Sequence, residues 1–131
     1  NIRQVVWSKL TGNMTVSGLC LLTGLTARAA LDDTHIAAIL PGLRTEAMAI
    51  ADAYLPGFRP AAAAGGGGGA PNHKPSLLQD YELGRPMEVD ALIRAPAAYA
   101  EAAGIAIPML QTMGALAMRQ ARAKGLWAPE A

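Results

Sequence analysis

Cysteine is almost missing from this chain of 131 residues: Cys20 stands alone, so no internal disulfide can form and the cytoplasm is the natural compartment. Set among Leu19, Leu21 and Leu22, it reads as a small core residue rather than a nucleophile. Histidine is scarce too. His35 and His73 lie far apart, without the Cys/His/Asp spacing of a metal site. Aromatics make up only 5% while Ala and Leu abound, and no alternating strand pattern appears, so the predicted fold class is all-α. Charge is thin at 16%, net +1, and the only basic cluster is Arg119, Arg122 and Lys124 in a predicted last helix, where cations suit the dipole. Nucleic acid is therefore excluded as a partner. An initiator Met and a signal peptide are both absent before Asn1, and the chain is read as a piece of something longer.

What is present suffices for one domain with a real core: hydrophobic residues reach 52%. Residues 2–23 are predicted as the first helix, with apolar surface from Val5, Val6, Leu10, Met14, Leu21 and Leu22. From Gln4 to Ala27 the only charge is Lys9. Asn13, Ser17, four threonines and three glycines make the stretch too polar to span a membrane, so a helix buried between neighbours is expected. Lys9, Asn13 and Ser17 follow at i, i+4 and i+8, one stripe of that helix. A lone lysine there either snorkels to the surface or faces a functional cleft.

Gly24 ends this helix, and a short turn around Ala27–Leu31 leads to Asp32 and Asp33 as N-cap candidates. Ile36, Ile39, Leu40, Leu43, Ala47, Ile50, Ala51 and Tyr54 keep helical spacing to Leu55, with Pro41 and Gly42 predicting a kink or two abutting helices. Glu46 reads as part of a solvated face. The run at residues 61–69, AAAAGGGGG, reads as a flexible tether and not as a phosphate loop, because no Gly-Lys-Ser/Thr follows and no strand pattern precedes it. A final helix begins at Pro108, with Leu110, Met113, Leu116 and Ala117 inward.

Between these lies Pro75–Leu92, PSLLQDYELGRPMEVDAL. Ser76–Leu83 reads as a helix, Gly84 as its left-handed terminator, and Pro86 as the start of a second helix with Glu88 in its first turn. That second helix is expected to run to Gly104, with Pro96 an awkward interior residue. The junction can turn Ser76 and Glu88 toward one pocket. On these residues alone it reads equally as a helix–turn–helix with a solvated capping glutamate.

The stretch His73–Leu92, HKPSLLQDYELGRPMEVDAL, resembles the signature of the C-terminal domain of ketopantoate reductases (2-dehydropantoate 2-reductases): a Ser, then Leu-Gln-Asp, a spacer, Gly-Arg and Glu-Ile-Asp. A second block, WSKLTGN from Trp7 to Asn13, is similar to the family's Trp-x-Lys-Leu-x-x-Asn, and the two stand in the family's order. Only residues 56–71, the predicted low-complexity loop, fall outside the resemblance, and Glu46 matches an acidic position common in the family as well as fitting a solvated face. It implies a compact helical bundle of the 6-phosphogluconate dehydrogenase C-terminal-like kind over residues 1–131. It also implies an NADPH-binding N-terminal Rossmann domain, absent from this chain.

Reduction of a 2-keto acid needs a hydride, a proton for the developing alkoxide and groups that hold the carboxylate; a lysine ammonium suits the second task. The resemblance makes Lys9 the general acid and sets Asn13 beside the substrate oxygen. It brings Glu88 against the lysine, the substrate hydroxyl and the cofactor, and gives Ser76, Ser17 and His73 to substrate binding. Ser17 stands where the family often has a second asparagine, and His73 where it places a substrate-binding asparagine. Three functions stay open: a ketopantoate reductase domain, a reductase of another small 2-keto acid, and a non-catalytic helical association module. The first implies as partners the keto acid, the upstream domain and, optionally, a second copy in a homodimer, with the isolated fragment inactive.

Overall fold

The computed structural model describes residues 1–60 and 73–129, and every regular element among them is helical, as expected. A continuous helical path runs from Ile2 to Thr23: α1 (Ile2–Gly12), a π-helical turn (Asn13–Ser17) and α2 (Gly18–Thr23). Successive residues of α2 enter different packing clusters. Leu19 joins Leu43 and Ile50, Cys20 joins Ala30 and Leu78, and Leu21 joins Leu77 and Val89. A helix apolar on all sides is a buried helix. Its hydroxyls are satisfied locally, Thr15 Oγ1 donating to the Thr11 carbonyl at 3.0 Å and Thr23 Oγ1 to that of Leu19 at 2.7 Å. Only the inner part of this path is enclosed: Ile2, Val5 and Val6 remain exposed.

Gly24 ends α2 in the left-handed conformation, as expected. The predicted turn that follows is instead a helix, α3 (Ala27–Asp32), started by the Thr26 side chain, which accepts from the Ala29 N–H. Asp32 lies inside α3, paired with Arg28, and Asp33 alone caps α4 (Thr34–Tyr54) by accepting from the His35 and Ile36 amides. Of the two arrangements expected at Pro41 and Gly42, two abutting helices do not occur: α4 is one helix through both residues. Its face Leu40, Leu43, Ala47, Ile50 and Ala51 is buried at helical spacing. Each fully buried Leu or Ile there contributes about 1.5–3 kcal/mol relative to exposure.

Beyond α4, Phe58 is fully buried, so the chain entering the low-complexity run is anchored. The run at 61–69 lies outside the described residues. Next come α5 (Ser76–Leu83), a second π-helical turn (Asp90–Arg94), α6 (Ala95–Ala102) and α7 (Pro108–Ala123). Pro96 is not awkward, because the π turn has already changed the ladder: the Ala95 N–H reaches back five residues to the Asp90 carbonyl. Leu116, predicted inward, is 53% exposed.

Helix α7 begins after Ile107, which carries no side-chain acceptor, so its first amides need a partner from elsewhere. Glu46 of α4 supplies it. Its two carboxylate oxygens accept from the Met109 N–H at 3.0 Å and the Leu110 N–H at 2.8 Å. The helices meet closely beside this cap, Met109 filling the space over Gly42 and Met113 the space over Gly18. A Cβ on Gly18 would lie 2.5 Å from Met113 Cε. Glu46→Ala should therefore destabilise the domain by about 1–2 kcal/mol, the cost of losing a helix N-cap, read as a lower urea midpoint at unchanged slope.

Candidate functional site

Trp7 fixes the first sequence block. It stacks on Tyr54 with ring centroids 5.7 Å apart and meets Tyr99 at 6.1 Å, while the Tyr54 hydroxyl donates to the Tyr99 carbonyl at 2.7 Å. This cluster pins α1 to the end of α4 and to α6. Lys9 lies two residues on, about 200° round the helix, and points to solvent. The π turn then resets the stripe predicted for Lys9, Asn13 and Ser17. With about one residue more per turn, Asn13 and Gly18 share the wall of a cavity of about 820 Å³, and Ser17 is 6% exposed and turned into the core. Lys9 is exposed, Asn13 half-buried and Ser17 buried, so these three do not form one continuous polar stripe.

The second block starts as predicted. Gly84 adopts φ 69°, and α5 closes with the Gly84 N–H on the Tyr81 carbonyl and the Arg85 N–H on that of Asp80, at 3.3 and 2.8 Å. Pro86 does not open the next helix. Residues 85–88 are non-helical, helix resumes at Val89, and Glu88 is the residue before it, with its carbonyl accepting from the Leu92 N–H at 3.1 Å. Met87 and Val89 are buried and Glu88 between them is exposed. Ser76 is exposed at the first position of α5. His73 is exposed as well, and its carbonyl accepts from the Ala27 N–H at 3.2 Å.

At the level of helices the two blocks converge, since the Asn13–Ser17 turn packs against both α5 and the Asp90–Arg94 turn. At the level of side chains they do not touch. Among the described residues, no hydrogen bond or ion pair joins Lys9, Asn13, Ser76 and Glu88. Asn13 alone of the six predicted site residues faces the cavity, beside Leu77, Leu92, Ile93, Leu110 and Gly114. Cys20 is fully buried, and desolvation pushes its thiol up from 9.0 to about 11, which suits a core residue and not a nucleophile. Sequence reasoning singled out Glu46 but missed its partners, the Met109 and Leu110 amides. The signal was a helix at Pro108 with no Ser, Thr, Asp or Asn just before it.

This arrangement of helices is that of the helical part of ketopantoate reductases. The chain superposes on a PanE/ApbA family ketopantoate reductase from Ralstonia eutropha JMP134 with a TM-score of 0.81 at 22% identity, covering 95% of this chain and 43% of that one. On a dimeric ketopantoate reductase from Staphylococcus aureus the score is 0.79 at 21% identity, covering 95% and 45%. The sequence matches the family described as ketopantoate reductase PanE/ApbA C terminal over residues 1–121, and the chain belongs to that family. It is 33% identical to the 2-dehydropantoate 2-reductase of Mesorhizobium japonicum across 97% of this chain, and spans 40% of that protein's length.

The Cys20 thiol gives a measurable consequence. Its folded value of about 11 exceeds the ordinary 9.0, so the folded state holds the proton more tightly than the unfolded one. The stability it contributes is complete below pH 9.0 and is lost as the pH climbs toward about 11. Native protein should resist thiol reagents at neutral pH and react fully once unfolded by urea; Cys20→Ala should flatten the alkaline fall in stability.

Proposed function

We propose that this chain is the substrate-binding and catalytic half of an NADPH-dependent 2-dehydropantoate 2-reductase, which reduces ketopantoate to pantoate in pantothenate biosynthesis. The observation that carries the reading is the packing of the Asn13–Ser17 turn against α5, which Ser76 opens, and against the Asp90–Arg94 turn, which closely follows Glu88. The lysine block and the serine–glutamate block of the family thereby meet across one junction.

In this reading the dinucleotide is held by an upstream Rossmann domain. When bound there, the cofactor supplies the hydride to the keto carbon. Lys9 does the complementary work here: its ammonium donates a proton to the oxygen as negative charge develops, giving the 2-hydroxy acid. Asn13 donates a hydrogen bond to the same oxygen. Glu88 pairs with the lysine and the substrate hydroxyl and borders the cofactor, and Ser76 holds the substrate. The exposure of Lys9 and Glu88 fits a surface that a second domain closes. A homodimer belongs to the same reading, on the precedent of the dimeric S. aureus relative, and so does a cytoplasmic location.

A second reading, reduction of another small 2-keto acid, is favoured by two particulars. His73 replaces the asparagine common in the family, and Ser17 is turned into the core rather than toward the cavity. Assaying the two-domain protein with NADPH and a panel of keto acids separates the two readings; no turnover of any would leave the association module.

Residues 1–131 alone should show no useful NADPH affinity by calorimetry, and joining the upstream domain should restore it; micromolar binding to the isolated chain would overturn the two-domain account. In the joined protein, Lys9→Ala should lower kcat on the order of a hundred- to a thousandfold, the cost of one preorganised donor. Glu88→Ala should lower kcat and raise KM. The double variant should be little worse than the poorer single one, because the residues act as a unit. Losses that simply multiply would sink the pairing.

A further inference from the structure

The segment after α7, beyond the stretch matched to the family, folds back onto the site. Gly125 adopts φ 70° and the Leu126 N–H returns to the Ala121 carbonyl at 2.9 Å, which turns the chain toward α5. Four contacts follow. The Leu126 carbonyl accepts from the Met87 N–H at 2.9 Å. The Trp127 Nε1–H donates to Asp90 Oδ1 at 3.2 Å, the oxygen that also takes the Arg94 guanidinium at 3.0 Å. Arg94 lies over the Trp127 ring, 5.9 Å from its centroid. Lys124 Nζ donates to the Tyr81 carbonyl at 2.9 Å and sits 4.0 Å from that residue's ring centroid.

These contacts bracket Glu88. The backbone is held one residue before it by Leu126, the side chain two residues after it by Trp127, and its own carbonyl by the Leu92 N–H. Met87 and Val89 are buried in the cluster against which Leu126 and Trp127 pack. The Glu88 carboxylate is thus left exposed on a short backbone span that cannot shift without breaking several bonds. Such anchoring of a neighbour is what fixes a reacting group to within a fraction of an ångström.

The geometry points to Trp127 as a positioning residue for Glu88, with the strap Lys124–Trp127 setting where that carboxylate meets the substrate. This rests on the reading of Glu88 as a site residue. The strap touches no substrate; it acts through the Met87–Asp90 backbone.

The test uses the two-domain protein with NADPH and ketopantoate. Trp127→Phe keeps an aromatic ring but removes the indole donor and part of the ring's packing, and Asp90→Ala deletes the acceptor from the other side while leaving that packing in place. Each should lower kcat/KM about tenfold, the scale of losing one hydrogen bond to a charged group. Asp90→Asn, which retains an oxygen for the indole N–H, should stay near the parent. In a Glu88→Ala background neither change should cost anything further. In the 131-residue chain, Trp127→Phe should speed hydrogen exchange at the Met87 and Leu92 amides while those of α4 stay protected. Should Trp127→Phe unfold the protein, the Asp90 pair carries the test from the surface.

Equal losses with and without Glu88 would make the strap a purely structural tie and overturn the inference. So would a damaging Glu88→Ala beside neutral Trp127→Phe and Asp90→Ala, and there the assignment of Glu88 would stand. A neutral Glu88→Ala would remove that assignment, and the positioning role with it.

Discussion

The approach of α7 to the helices beneath it governs most of what this domain can do. Two methionines, Met109 and Met113, occupy the space that side chains on Gly42 and Gly18 would need. A carboxylate from α4 closes the electrostatics by meeting the free amides at the positive end of α7. Neither part works alone: the glycines permit the distance, and Glu46 fixes the position along the axis. Through Leu110, Met113 and Gly114 the same helix walls the large cavity, and its far end delivers the strap that reaches Met87 and Asp90.

Much of this was legible because it is local. Gly84 as a left-handed terminator, Asp33 as an N-cap, Pro108 as a helix start and the buried face of α4 each follow from a few neighbouring residues and their spacing. What escaped was either non-local or a change of helical period. Glu46 and the α7 amides are more than sixty residues apart, so its face looked solvated although a distant helix end sits on it. Pro41 was read as a kink or a junction of two helices, and α4 carries it as one helix. Pro86 looked like a helix start, but the Met87 N–H is bound to Leu126, and helix waits until Val89. Neither π turn has a sequence signature.

For the candidate site, the residue types and their order came from a resemblance that the family match supports over residues 1–121. The segments bearing Lys9, Asn13, Ser17, Ser76 and Glu88 do assemble around one turn, but the side chains stand apart and mostly face solvent. That division is physically sensible. A buried ammonium opposite a buried carboxylate would have to carry its desolvation cost at all times, whereas exposed groups incur it only when something covers them. Rigidity therefore sits in the backbone beneath these groups, and the charged tips stay hydrated.

The π turn at Asn13–Ser17 has a consequence for how such a helix can change. It acts as a phase coupling in a two-part shaft: the outer part is timed by Trp7 against Tyr54 and Tyr99, the inner part by Leu19, Cys20 and Leu21 against three clusters. Removing one residue from the α-helical stretch on either side, with the π turn unchanged, would rotate one part against the other by about 100°. Either the aromatic seat or the core would be lost. Point substitutions along this helix can alter chemistry one side chain at a time, but length is not free to vary, and insertions or deletions are shut out of a surface-exposed helix whose outer residues otherwise look tolerant.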